Sequence, residues 1–179
     1  MRIAFRPTCV LSALMFASAL AGCSPTFDWR DTRFPEADGA EALFPCKPER
    51  LTRRLKLADE AVAFSLASCS AGTLTFALAH AEVADASRVV PALQELQDRA
   101  QANVGGAGTS RPATRVNGAA PEPPTRRIRW EGRRPDGGIL REEAVFFVRG
   151  RHVFQASLVG TVIDAEIADT FFAGFKLPG

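Results

Sequence analysis

Two neighbouring stretches of two-residue alternation constrain this chain more than any other feature in it. In Ala61–Cys69, Val62, Phe64 and Leu66 share one parity with Ser68, and the polar Ser65 falls on the other. In Thr73–Ala81, Leu74, Phe76 and Leu78 alternate with Thr73 and Thr75. Successive side chains on a strand point to opposite faces, so this pattern suits a half-buried strand and not a helix. Ser70-Ala71-Gly72 between the two stretches carries turn chemistry. The pair is therefore expected to form an antiparallel hairpin.

The remaining elements follow from where this period holds and where it changes. Upstream, Ala42–Cys46 reads as a short strand that Pro45 and Pro48 confine to an edge or entry position. Leu51–Leu57 is a second, partly alternating strand. Downstream, Val89, Leu93, Leu96 and Ala100 form a helical stripe. Asp85 or Ser87 is its expected N-cap, Pro91 lies in the tolerant first turns, and Asn103 with Gly105-Gly106 ends it. Residues 104–125 are rich in Gly, Ala, Pro and Thr. They are expected to form a mobile surface loop, with a functional lid as the alternative. Arg127–Gly132 resumes the β pattern, with Ile128 and Trp130 on one face. The turn at 134–138 and the strand Ile139–Val148 follow, and the apolar run Ala144–Val148 suggests a central position. His152–Gly160 is the last strand. A second helix runs from Asp164 as N-cap to about Phe175, with Ala168, Phe171, Phe172 and Phe175 on one stripe. This order predicts an α+β fold: an antiparallel sheet of about six or seven strands covered by two helices, in one domain over residues 42–179.

The first residues have a different character. Arg2 and Arg6 precede an apolar run from about Cys9 to Ala21, followed by Gly22 and Cys23. That is the layout of a secretory signal peptide, and the run is shorter than the ~20 residues needed to span a bilayer. Leu20-Ala21-Gly22-Cys23 is similar to the lipobox of bacterial lipoproteins. That resemblance implies cleavage before Cys23 and its modification with acyl chains such as palmitate, so that residues 1–22 are the leader. With Ser24 in place of Asp after the cysteine, it further implies an outer-membrane anchor facing the periplasm. Residues 23–41 are polar and turn-rich and read as a tether from lipid to domain. Phe27, Trp29 and Phe34 within it are expected on the domain surface or at the headgroups, a partner-docking segment being the alternative.

Loss of the leader changes charge and cysteine arithmetic together. The chain has 22 Lys+Arg and 20 Asp+Glu; the leader holds two Arg and no acid, leaving 20 of each. A formal charge of zero argues against nucleic-acid binding, which depends on surplus cations. Cys9 leaves with the leader, and Cys46 and Cys69 remain with Cys23. In an oxidising compartment a Cys46–Cys69 disulfide is the default, and closing a ring of about 24 residues stabilises by roughly 3 kcal/mol. A metal pair or redox dithiol is the rival, without a Cys-x-x-Cys to support it.

The sequence contains no nucleophile elbow, zinc-protease motif or phosphate loop. Gly105-Gly106-Ala107-Gly108 follows a helix where a dinucleotide fingerprint would follow a strand. His80 and His152 are expected as rim residues, and the adjacent Glu142 and Glu143 on opposite faces of their strand. No cofactor, metal or catalytic residue is expected. The densest cationic feature is Arg127, Arg129, Arg133 and Arg134 around Trp130. It reads either as a solvated sheet face or as a site for anionic lipid or an acidic envelope partner.

The segment Glu143–Gly160, with its Arg149-Gly150 turn, and the helix closing in Phe171-Phe172-Ala173-Gly174-Phe175-Lys176-Leu177 resemble the ending of Mog1/PsbP-like α+β domains. That resemblance implies a fold and a binding or assembly role. The entry Phe44-Pro45-Cys46-Lys47-Pro48 is similar to that of uncharacterised proteobacterial lipoproteins. Taken together, the expectation is a non-catalytic binding or assembly accessory held at the membrane by Cys23. An envelope enzyme with a dispersed site and a purely structural component are the alternatives.

Overall fold

The computed structural model describes residues 26–178. Cys23 and the leader lie outside the described residues. The elements are β1 (Arg30–Phe34), β2 (Ala40–Phe44), β3 (Glu49–Leu57), β4 (Glu60–Ala71), β5 (Leu74–Glu82), α1 (Val89–Val104), β6 (Gly108–Arg111), β7 (Arg126–Arg133), β8 (Ile139–Arg149), β9 (His152–Gly160) and α2 (Ala165–Ala173). Seven strands form one antiparallel sheet in the order β3-β4-β5-β9-β8-β7-β6. β1 and β2 make a separate two-stranded hairpin. The α+β class and the two covering helices are as the sequence predicts. No described helix is long and apolar enough to cross a membrane.

The sheet is covered on both faces. α1 packs with Leu57, Val62, Ala81, Ala144, Phe146, Val148 and Val153. α2 and the β1–β2 hairpin pack with Phe76, Leu78, Val145, Phe147, Phe154 and Leu158. The 4→5 hairpin is real, but its two apolar rows point apart. Phe76 pairs with Cys69 and so shares the face of Ala67, away from Phe64 and Leu66. β8 supplies both cores from alternate residues of one apolar run, as a central strand must.

Three expectations need correction. The 23–41 tether is folded for much of its length: β1 and the Pro35–Ala37 turn lie within it, and Phe34, Ala37 and Ala40 are buried. Phe27 and Trp29 rest edge-on against Phe76. Their apolar area is worth more against the sheet than in water. The 104–125 loop contains the edge strand β6, and its remainder is tied down by Ala120 N–H to Val148 O and Leu177 N–H to Asn117 O. Finally, Asp85 caps a short 3₁₀ turn at Ala86–Arg88, and α1 proper begins after it. Asp164 caps α2 as expected, accepting from Glu166 and Ile167.

Glycines fix how α1 meets the sheet. Gly105 ends the helix at φ 78°. A Cβ on Gly106 would lie 1.8 Å from Glu131 O, and one on Gly132 would lie 1.9 Å from Val104 O. The helix end therefore touches β7 backbone to backbone, which draws α1 over the β7–β8–β9 half of the sheet.

Cys46 and Cys69 form a disulfide that joins the β2–β3 connection to β4. We expect the paired Cys46→Ser, Cys69→Ser protein to lose roughly 3 kcal/mol of stability on the ring-closure argument. Urea unfolding with and without reductant measures this, and coincident curves would refute it.

Candidate functional site

The arginine cluster does not form one patch. Register pairs Arg129 with Glu143, and Arg127 shares their face. Glu143 is fully buried and accepts from both Arg127 and Arg129. Arg127 also reaches Asp169 of α2 at 2.6 Å and lies 5.0 Å over the Phe172 ring. It clamps α2 to the sheet from a buried position. Trp130 faces the other way, into the α1 core. Of the four, Arg133 at the end of β7 and Arg134 just after it stay exposed, and Arg133 donates to Gly137 O of the β7–β8 turn. Both the solvated-face and the anionic-site readings thus fail for Arg127, because strand alternation gives it a buried carboxylate as neighbour. Glu142 and Glu143 do lie on opposite faces, each with its own partners.

The histidines were missed as a pair. His80 and His152 are 72 residues apart, yet His80 Nε2 lies 3.1 Å from His152 Nδ1 and the rings stack. Register explains it: His152 pairs with Glu82 and Phe154 with His80, making the two imidazoles diagonal neighbours on one face. Asp38 approaches His152 Nε2 at 3.7 Å and accepts from Arg149 at 2.6 Å. Ser65 Oγ lies 3.4 Å from His80 Nδ1. A neutral pair is satisfied when His80 Nε2–H donates to His152 Nδ1, leaving His80 Nδ1 to accept from Ser65. Burial, and then the neighbouring His152, push His80 down to about 4. Ser65 and His80 are only 5% and 6% exposed, so a substrate cannot reach this Ser–His contact. It is a polar rivet between the sheet and the Pro35–Asp38 turn.

An accessible cleft of about 210 Å³ lies elsewhere, between α1 and the β3–β5 half of the sheet. It exists because α1 is drawn toward β7, leaving Phe64 and Leu66 half-buried. Leu96 forms the helix wall, and the small Ala77 and Ala79 leave the floor low. Leu51, cross-strand from Leu66, is 50% exposed beside it. At the inner end, Gln155 and Ser157 line the cleft together with Asn103 of α1. Behind them is Glu142, buried, accepting from Ser157 Oγ at 2.9 Å and Gln155 Nε2 at 3.2 Å. Burial pushes its carboxyl above the usual range, against the pull of those two hydrogen bonds. The sequence offered no signal for this site beyond half-buried alternation, since its polar residues come from β8, β9 and α1.

The chain matches no protein-family model and no curated protein. Among solved structures it is similar to PA94 of Pseudomonas aeruginosa, a protein of unknown function proposed to be a regulator. The two share 17% identity over 79% of this chain and 85% of that one, at a TM-score of 0.34.

Proposed function

We propose that this is a lipid-anchored envelope protein, facing the periplasm from the outer membrane, whose domain is a non-catalytic binding accessory using the cleft under α1. The cleft is the observation that carries the binding role. It leaves an apolar wall and, at its inner end, hydrogen-bonding side chains accessible. The Leu20–Cys23 motif supports the anchor, and the Cys46–Cys69 disulfide suits an oxidising compartment. Thr26 already sits against Gly72 at the β4–β5 turn. Two residues separate it from Cys23, and the three Cα–Cα steps between them span at most about 11 Å. An anchored domain would therefore ride close to the bilayer and not on a long leash.

For the anchor, Cys23→Ser is expected to move the protein from the membrane to the soluble fraction and to abolish palmitate labelling; labelling that persists would overturn it. For the cleft, a photo-crosslinker at Leu66 should give an envelope adduct that Ala79→Leu, by filling the floor, removes. An adduct unaffected by Ala79→Leu would place binding elsewhere.

A further inference from the structure

We propose that the cleft under α1 selects a small primary amine carrying a short apolar chain, with the ammonium at the Gln155–Ser157 end and the chain along Phe64, Leu66 and Leu96. This rests on the cleft being the binding site, as argued above, and adds the chemistry of its ligand.

The argument is one of donor and acceptor supply. Ser157 donates its hydroxyl hydrogen to Glu142 and accepts from Gln155 Nε2, so one lone pair of its oxygen is left to the cleft. Gln155 spends its amide nitrogen on Glu142 and on Ser157 at 2.9 Å, so its carbonyl oxygen is left as an acceptor too. Both side chains are thereby oriented, each with acceptor capacity left: the Gln155 carbonyl oxygen and one lone pair of Ser157 Oγ. Behind them, Glu142 has no ion pair among the described residues, in contrast to Glu143 with two arginines. The α1 C-terminus, whose Ala100 and Asn103 line the same end, adds the negative pole of a helix dipole. Arg99, also at the cleft, is turned away to Glu95 and to Lys56 O. The inner end thus combines acceptors, a carboxyl without a counter-ion and a helix C-terminus. Ammonium supplies three donors and the missing charge. A carboxylate or phosphate would find its donors in Asn103 and in Arg99, which is already held by Glu95 and Lys56 O, and would face the Glu142 carboxyl behind the inner end. The apolar walls and the modest volume call for a short chain.

The test uses the full chain in lipid nanodiscs, with hexylamine, 1-hexanol and hexanoate titrated separately and followed by NMR shifts of Leu66, Ala79 and Leu96. Hexylamine is expected to bind about tenfold tighter than hexanol, the difference between a charged and a neutral hydrogen bond, and hexanoate weakest. Glu142→Gln should bring the hexylamine and hexanol affinities together, with an unchanged dispersed spectrum away from the cleft showing that the variant is folded. Ala79→Leu should abolish binding of all three. Equal affinity for hexylamine and hexanol would overturn the proposed ligand class yet leave the binding cleft standing. No shift at these residues with any probe would remove the cleft as a site altogether. Failure of the anchor leaves the assay intact, because the protein is then measured free in the same buffer.

Discussion

Glu143→Ala should destabilise the domain by about 3–5 kcal/mol, the cost of leaving buried charge without its partner. Glu143 has no exposed surface and sits between Arg127, 9% exposed, and Arg129. Without it, the two guanidinium groups face each other across an apolar sheet face. Asp169 still holds Arg127, but it is 66% exposed and screened by water, so it compensates weakly. Arg129 would have no acid left among those it contacts. Removing all three charges together, as Arg127→Met, Arg129→Met and Glu143→Leu, should cost far less than the single change. A well-packed apolar replacement avoids the desolvation that the ion pairs must offset. Urea midpoints of the single and triple variants decide the matter. A single-variant loss under about 1 kcal/mol would show that Glu143 is not the counter-charge the geometry makes it.

Acid should weaken the fold through His80. The unfolded imidazole titrates near 6.5 and the folded one is pushed down to about 4. Between those values the unfolded chain holds a proton that the folded chain refuses. Stability is therefore fully present above pH 6.5 and is lost as pH falls toward 4. The linkage amounts to about 3 kcal/mol at 1.36 kcal/mol per pH unit. Glu142 acts oppositely, its raised folded value making stability fall as pH rises above the ordinary carboxylate range. The informative measurement is thus a difference. His80→Gln should flatten the pH dependence between 6.5 and 4 relative to the parent chain, with the Glu142 contribution common to both. Parallel profiles would refute a buried neutral His80. Asp38, Glu36 and Arg149 surround the pair from the turn and the strand end, and none of them changes in this comparison.

The architecture was legible where a local period reports it. Alternation in 61–81 gave the hairpin, Asp164 and the Phe171–Phe175 stripe gave α2, and the Ala144–Val148 run gave a central strand. β6 was hidden because Gly108–Arg111 is wholly exposed and has no apolar row to show. β1 was hidden because its strand pattern is short and polar, with one buried residue, Phe34. The arginines misled for a specific reason. Charge along a sequence says nothing of a counter-charge on the neighbouring strand, and Glu143 is that counter-charge.

By itself, then, the sequence determined the type and order of the elements other than β1 and β6, which depend on residues close together in the chain, and offered a candidate pair of cysteines. Tertiary structure alone decided which face each row covers, that His80 meets His152, that Arg127 is buried, and that a cleft remains beside α1. Those outcomes are set by strand register and by the backbone contact of Gly106 and Gly132. A one-residue slip in register reverses every side chain on a strand, while leaving its local pattern the same.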